Sequence, residues 1–216
     1  MPIAPADLIP APADVVPLFV TEVYRTNFGG TALDPLIDRL DAGARRLAAA
    51  DTAGQAWSDR NGYLGYTSYD SFDIVTDAGP EFADLTALLD VHVMIYAQLL
   101  EMDLRGKAPR MTRSWVNVLH PGGAHGGHVH PHSIVSGTLY LSVPDGASAL
   151  QFEDPRHTRM MHAPMRRPSA RADRQPVMAM APARGTLMLW ESWLRHEVPT
   201  NRAGEERISI SFNYDL

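Results

Sequence analysis

The chain has 216 residues, 45% of them hydrophobic, which is enough for one large domain with a sizeable core. Its formal net charge is −6 at pH 7 and its isoelectric point is near 5.8, so it lacks the basic surface that general nucleic-acid binding usually needs. It contains no cysteine, which excludes disulfides and thiolate metal sites and is compatible with a reducing cytoplasm. We therefore expect a cytoplasmic protein with no nucleic-acid partner.

The beginning of the chain, residues 1–17, predicts an extended arm. Proline is frequent there and no positively charged stretch precedes it, so the segment does not resemble a secretory signal. The most apolar later stretch, residues 88–100, is too short to span a bilayer and contains His92 and Gln98. We expect no membrane partner, whereas the arm could reach a neighbouring subunit in a homodimer.

Two helices are expected in the N-terminal half, residues 1–109. Thr31 is a candidate cap for the first, and Gly79 followed by Pro80 begins the second, each before apolar residues at helical spacing. The predicted elements are a short strand over 16–24, a helix over 32–50, an irregular aromatic-rich loop over 53–70 and a second helix over 81–102. We expect this half to be an arm with helical support for the rest of a single domain, residues 1–216.

The C-terminal part, residues 110–216, is mostly strand. Candidate strands cover residues 113–119, 134–143, 149–153, 177–181, 186–194 and 207–214. Two helices before many strands indicate an α+β fold with the helices packed on one face of the sheets. The number of strands suits a double-stranded β-helix, or jelly roll, as the catalytic core. The segment 155–176 is long for a connection between strands, and such loops are often functional or disordered.

Histidines are concentrated in one segment. Five of the nine lie between His120 and His132. His128 and His130 are two residues apart, so in an extended strand both imidazoles would point to the same face. Imidazole suits zinc, copper, iron and nickel. The spacing predicts a metal-chelating pair.

A third ligand and a possible anion-binding group lie much later. His196 ends an apolar run that begins at Gly185. Residues 207–213 then alternate strictly, with Ile208, Ile210 and Phe212 on one face and Arg207, Ser209, Ser211 and Asn213 on the other. If the apolar face packs in the core, Arg207 and Ser209 are free to line a pocket.

These motifs resemble the 2-oxoglutarate- and iron(II)-dependent oxygenases, in particular the putative 2OG-Fe(II) oxygenase family, which is prolyl-hydroxylase-like. The signature H-x-H-P-x-S-x-x-S-G-x-x-Y-L is matched here by His128, His130, Pro131, Ser133, Ser136, Gly137, Tyr140 and Leu141. The later pattern is matched by the run from Gly185 to His196 and by the run from Arg207 to Asn213. The resemblance covers roughly residues 110–216.

The resemblance implies a dioxygenase that hydroxylates its substrate, with His128, His130 and His196 as catalytic ligands of Fe(II). It implies 2-oxoglutarate as co-substrate, dioxygen as a second reactant, and Arg207 as the partner of the distal carboxylate, because its planar fork can grip a carboxylate with two hydrogen bonds. Ser209 could add a hydrogen bond to that carboxylate, and Asn117 could bind the co-substrate or the substrate. His130 departs from the family, which usually has a carboxylate at this position.

Two alternatives stay open at this point. A cupin-type metalloenzyme without 2-oxoglutarate also uses HxH and a later histidine, although the glutamate that cupins add after HxH is absent and Arg207 would have no role. A non-catalytic jelly-roll binding module is the other. For the remaining histidines we expect no direct metal binding: His120, His125 and His132 would lie at the pocket mouth or in solvent. The substrate, a small molecule or a protein residue, is not encoded in a recognisable motif.

Overall fold

The structure is a computed structural model and describes residues 14–72 and 79–216. Its helices and strands, in chain order, are β1 (Tyr24–Asn27), α1 (Asp34–Ala50), α2 (Thr52–Arg60), β2 (Gly65–Thr67), α3 (Pro80–Leu99), β3 (Arg110–Leu119), β4 (His125–His128), β5 (Val135–Ser142), β6 (Leu150–Glu153), β7 (Val177–Met180), β8 (Thr186–Glu191), β9 (His196–Val198) and β10 (Arg207–Asp215). Most of the expected arm, residues 1–13, lies outside the described residues; residues 14–20 are exposed and form no helix or strand.

The strands form two antiparallel sheets. The larger has six strands in the order β1-β8-β5-β10-β3-β2, and the smaller has four in the order β4-β9-β6-β7. In the larger sheet, Ser209 of β10 lies opposite Asn117 of β3 and Tyr140 of β5. In the smaller sheet, His128 of β4 lies opposite His196 of β9. The pairing of strands distant in sequence thus brings the candidate site residues together.

One large apolar cluster joins the larger sheet to helices α1 and α3. Buried residues from α1, α3 and strands β3, β5 and β10 contribute to it, among them Ile37, Leu89, Val116, Leu139 and Ile210. Fully burying a side chain of this size contributes about 1.5–3 kcal/mol. The alternation expected in residues 207–213 is confirmed on its apolar side, since the side chains of Ile208, Ile210 and Phe212 are completely buried.

The helices expected from periodicity are present, with small shifts at their ends. The first begins at Asp34, where Leu33 rather than Thr31 is the residue preceding the helix, although the Thr31 hydroxyl accepts a hydrogen bond from the Leu33 N–H at 3.1 Å. The second is α3. It is long and apolar enough to cross a membrane by length and composition alone, but its apolar residues also supply the core, including Leu85 and Tyr96.

Two predictions in the N-terminal half were wrong. The strand expected over 16–24 is replaced by β1, which starts only at Tyr24. The irregular loop expected over 53–70 contains α2 and β2. Asp51 stabilises this region because its carboxylate accepts hydrogen bonds from the Gly54 N–H at 2.9 Å and the Tyr66 hydroxyl at 2.9 Å, and from the Ser71 hydroxyl. A single capping carboxylate therefore ties the start of a helix to a strand, which periodicity does not reveal.

The six predicted C-terminal strands are all present, and two short strands were missed. These are β4 and β9, which are four and three residues long and carry His128 and His196. The strand expected over 186–194 ends earlier, at Glu191, because a turn precedes β9. The segment 155–176 contains only two short 3-10 turns, His157–Arg159 and Ala172–Arg174.

Candidate metal centre and cavity

Three histidine side chains converge at one edge of the smaller sheet. Each of His128, His130 and His196 offers a ring nitrogen, and these nitrogens all lie within 4.8 Å of one another. The Nε2 atoms of His130 and His196 are 3.2 Å apart. Two imidazole nitrogens about 2.1 Å from a common ion, at angles of roughly 90–110°, are separated by about 3.0–3.4 Å. The spacing therefore fits two ligands of one metal ion, with His128 as a third.

The backbone explains how each ring reaches this point. His128 and His196 are paired directly across β4 and β9. His130 lies two residues beyond the end of β4, where its N–H donates a hydrogen bond to the Ser192 carbonyl at 3.0 Å. The argument from an extended strand therefore does not explain how His130 is placed, since it lies outside β4. The turn between β8 and β9 positions it instead.

Backbone carbonyls orient two of the three rings. The Nδ1 of His128 is 2.7 Å from the Gly126 carbonyl oxygen, and the Nδ1 of His196 is 2.9 Å from the Leu194 carbonyl oxygen. Since a carbonyl only accepts, each Nδ1 carries a proton in this arrangement, and Nε2 keeps its lone pair in the neutral ring. Metal-binding histidines characteristically hold their second nitrogen in this way.

Burial favours the neutral form of the two inner rings. Loss of solvent lowers the pKa of His196 to about 3, with smaller lowering from the charges of the neighbouring histidines and an opposing effect of the Leu194 carbonyl. Loss of solvent also lowers the pKa of His130 to about 4, opposed by a hydrogen bond with the Asn213 side chain. Both are therefore neutral at pH 7, as metal ligation requires.

Arg207 is a buried cation without an anionic partner. Only 3% of the residue is exposed, and its guanidinium carbon lies 4.7 Å above the centre of the Tyr140 ring. Its Nε has no hydrogen-bond partner, and none of the ion pairs found among residues 14–72 and 79–216 includes it. A buried charge is normally paired, so this arrangement fits an anion supplied from outside the chain.

Tyr63 and His125 form a hydrogen-bonded pair near Arg207. The Tyr63 hydroxyl is 2.8 Å from the Nε2 of His125. Burial, assisted by the positive charge of Arg207, lowers the pKa of His125 to about 4, and burial raises the pKa of Tyr63. His125 was expected at the pocket mouth or in solvent, but it is paired within the site. Tyr63 belongs to the aromatic-rich segment 53–70, which was expected at the pocket mouth, and it lies in the cavity lining. Its contact with His125, 62 positions later, was not predicted.

A cavity of about 260 Å³ has two of the three histidines, His128 and His130, in its lining. It is lined by Trp57, Tyr63, Thr67, Tyr69, Trp115, Asn117, His125, His128, Val129, His130, Pro131 and Asn213. Asn117 is part of the lining; its Oδ1 accepts from the Thr67 hydroxyl at 2.9 Å and its Nδ2 donates to the Ser211 hydroxyl at 3.1 Å. Arg207 and Ser209 are buried and do not belong to the lining, so the expectation that they line a pocket is not met by this cavity. A larger groove of about 500 Å³ lies elsewhere and contains none of the three histidines.

Residues of the segment 155–176 do not line the cavity within the described part of the chain. His157 and His162 are exposed there. His120 lies on the surface, with its Nε2 at 3.1 Å from the Glu206 carboxylate, and His132 is exposed. His92 contacts the Tyr24 hydroxyl at 2.8 Å, away from the site. These five histidines are separate from the convergent cluster.

Comparisons with known proteins agree with this geometry. Residues 113–213 match a family described as "Putative 2OG-Fe(II) oxygenase". No curated protein sequence matches the chain. The fold is similar to a Pseudomonas putida prolyl-4-hydroxylase, with 17% identity, a TM-score of 0.55 and coverage of 90% of this chain and 92% of that one.

Two further solved structures contain the co-substrate. EctD from S. alaskensis with 2-oxoglutarate and 5-hydroxyectoine has 16% identity and a TM-score of 0.62, covering 91% of this chain and 72% of that one. The epimerase SnoN in complex with Fe3+, alpha ketoglutarate and nogalamycin RO has 18% identity and a TM-score of 0.58, covering 90% and 78%. Residues 113–213, just under half of the chain, therefore match the putative 2OG-Fe(II) oxygenase family, and the fold is similar to that of proteins solved with 2-oxoglutarate.

Proposed function

We propose that His128, His130 and His196 bind the iron(II), and that Arg207 binds the distal carboxylate of 2-oxoglutarate. The observation that carries the proposal is the convergence of three imidazole nitrogens within 4.8 Å, together with a buried guanidinium that has no carboxylate partner among the described residues and acts on His125, a neighbour of His128 and His130 in one cavity lining. When bound, iron and 2-oxoglutarate supply the oxidising chemistry, in which dioxygen is consumed, 2-oxoglutarate is converted to succinate and carbon dioxide, and the substrate is hydroxylated.

The donor set suits this pair of ligands electrostatically. Three neutral imidazoles leave the charge of a divalent ion uncompensated, whereas the usual family carboxylate would offset part of it. A bound 2-oxoglutarate dianion would supply the missing negative charge, and Arg207 would hold its distal carboxylate. Among metals, imidazole ligands accept iron as well as zinc and copper.

The surrounding rings hold the ligands and exclude water. Trp115 stacks on His130 with ring centres 5.8 Å apart, and Trp190 approaches His196 edge-on at 4.7 Å. Phe152 lies 6.1 Å from His196. An apolar surrounding strengthens electrostatic interactions at the metal and keeps the reactive centre dry.

Two polar residues are proposed to support binding. Ser209 follows Arg207 by two positions on β10, so its hydroxyl can donate a further hydrogen bond to the distal carboxylate. Asn117 lies directly opposite it on β3 and lines the cavity, where its amide can contact the co-substrate or the substrate. Their contribution would be smaller than that of Arg207, since each offers a single neutral hydrogen bond.

The proposal also concerns the fold of the chain, its location in the cell and its partners. We propose that the two antiparallel sheets form a double-stranded β-helix with helices on one face. Residues 110–216 would be its catalytic core and residues 1–109 an arm and helical support within one domain. We further propose a cytoplasmic enzyme acting on a small molecule or a protein residue, without nucleic-acid or membrane partners. A homodimer would be formed through the N-terminal arm.

The test is an anaerobic titration of the purified chain with iron(II) and 2-oxoglutarate. Wild type should develop the visible charge-transfer band of an iron–2-oxoglutarate complex, and oxygen should then produce succinate. His162→Ala is the matched control for any variant of the three histidines, because it removes an exposed histidine that lies outside the cluster. If wild type binds a metal but neither develops the band nor consumes 2-oxoglutarate, the cupin-type alternative is favoured and the proposal fails.

A further inference from the structure

A wall of aromatic side chains leads from the surface to the candidate metal ligands. It consists of Trp57 from α2, Tyr69 from the loop after β2, and Trp115 from β3, and we call these three residues the aromatic wall. Ring centres are 6.3 Å apart for Trp57 and Tyr69 and 5.2 Å apart for Tyr69 and Trp115. Trp115 in turn stacks on His130. All three residues line the cavity.

The wall is accessible at its outer end and fixed in place. Tyr69 is 41% exposed and Trp57 is half-buried, whereas Trp115 is only 6% exposed. The guanidinium carbon of Arg113 lies 4.3 Å from the centre of the Tyr69 ring, and its Nη2 donates a hydrogen bond to the Tyr69 carbonyl. A preorganised aromatic surface binds without a large loss of side-chain freedom.

The charges around the cavity exclude most ionic groups. Among the described residues, those lining it include no Asp, Glu, Lys or Arg. No carboxylate in this lining could pair with a positively charged substrate group, and the Arg113 guanidinium above Tyr69 lies 3.9 Å from the Asp70 carboxylate. A buried charge that finds no partner is unfavourable. A negatively charged substrate group would also lack a partner, because the lining holds no Lys or Arg and Arg207 would already be paired with 2-oxoglutarate.

We propose that the aromatic wall binds an uncharged ring of the substrate, which contacts both Tyr69 and Trp115. Because those two rings lie at 84° to each other, the substrate ring faces one of them and meets the other along its edge. The inference rests on the proposed function, since the ring would lie beside His130 and hence next to the metal. The cavity of about 260 Å³ is below the roughly 300–1,000 Å³ of pockets for drug-sized ligands. It would therefore admit the ring to be oxidised while the remainder of the substrate stays outside.

The proposal is tested by ligand-observed NMR with four small probes. The protein is loaded with zinc, which is diamagnetic, and saturated with 2-oxoglutarate. Benzyl alcohol and cyclohexylmethanol are the uncharged rings, hexan-1-ol lacks a ring, and benzylamine is a cation at pH 7. We expect both ring alcohols to bind more tightly than hexan-1-ol and benzylamine. Equal binding of all four probes, or preferential binding of benzylamine, would overturn the proposal.

Variants locate the binding surface. Trp57→Ala and Tyr69→Ala should each lower the affinity for benzyl alcohol roughly three- to tenfold, the range expected for one aromatic contact. Tyr69→Phe keeps the ring and should bind as wild type does. Trp193→Ala, which removes a 49%-exposed tryptophan outside the cavity lining, should also have no effect. Unchanged affinity in both alanine variants would show that the ring binds elsewhere.

The experiment separates this proposal from the one on which it rests. Zinc and 2-oxoglutarate binding are measured first by calorimetry in every variant. If wild type binds both but shows no preference for ring alcohols, only the role of the aromatic wall is rejected. If it binds neither zinc nor 2-oxoglutarate, the proposed metal and co-substrate site is rejected, and the ring preference of the unloaded protein still decides whether the wall binds rings.

Discussion

Replacing Arg207 by methionine should separate co-substrate binding from stability. Methionine fills much of the same volume without charge. In the structure, Arg207 is buried without a carboxylate partner and with its Nε unpaired. Removing such a charge should leave the free energy of unfolding unchanged or raise it, because a desolvated and unpaired cation is itself unfavourable. We therefore infer that the anionic partner of Arg207 is a bound ligand.

The magnitude follows from the hydrogen bonds that would be lost. Each hydrogen bond to a charged group contributes about 1.5–3 kcal/mol, so two parallel bonds to one carboxylate amount to at least about 3 kcal/mol. This corresponds to a weakening of 2-oxoglutarate binding by roughly 100-fold or more. Iron binding should be unaffected, because the three histidines lie in β4, in β9 and in the connection after β4.

The assay pairs an anaerobic absorbance titration with thermal unfolding in the absence of 2-oxoglutarate. Arg207→Lys serves as a comparison, since it keeps the charge but loses the two-pronged geometry and should give an intermediate affinity. The reasoning is refuted if Arg207→Met binds 2-oxoglutarate as wild type does. It is also refuted if the variant unfolds many degrees lower while keeping its affinity, because Arg207 would then be a structural residue.

Three further predictions follow from the same contacts. His196→Ala should abolish iron binding measured by equilibrium dialysis, while His162→Ala should retain it; equal metal content in both would exclude His196 as a ligand. In the metal-free protein, His125 has a pKa of about 4 against 6.5 when unfolded, so its contribution to stability is complete above pH 6.5 and is lost as the pH falls towards 4. In denaturant unfolding, the free energy of unfolding should therefore fall between pH 7 and pH 5, and this fall should be smaller in His125→Gln than in wild type by up to about 2 kcal/mol. An identical pH dependence in the two proteins would contradict this. Gly137→Ala should destabilise the protein by about 1–3 kcal/mol, because its Cβ would lie 2.5 Å from the Phe212 ring, whereas Gly126→Ala, with no atom within 4 Å, should be nearly neutral; similar unfolding midpoints would argue against tight packing at β5.

The first half of the chain shows the limits of local pattern. Helices α1 and α3 were predictable because their apolar residues repeat at helical spacing and bury one side against the sheet. Helix α2 was not, because it has nine residues and buries few of them, and its start depends on the carboxylate of Asp51 contacting Tyr66 and Ser71. Tyr66 lies 15 positions after Asp51 and Ser71 lies 20 positions after it, and contacts over such separations leave no periodic signal in the sequence.

The sequence alone determined the chemistry that this protein can carry. The HxH spacing, the later His196 and the alternation that follows Arg207 indicate ligand types and strand faces, because side-chain direction along a strand follows from local geometry. Only the tertiary structure decided that these nitrogens meet, that His130 is held by the turn at Ser192, and that Arg207 is buried without an anion. It also decided that Trp57, Tyr63 and Tyr69 of the N-terminal half line the same cavity as Trp115, because the pairing of strands distant in the chain depends on the whole core rather than on any single segment.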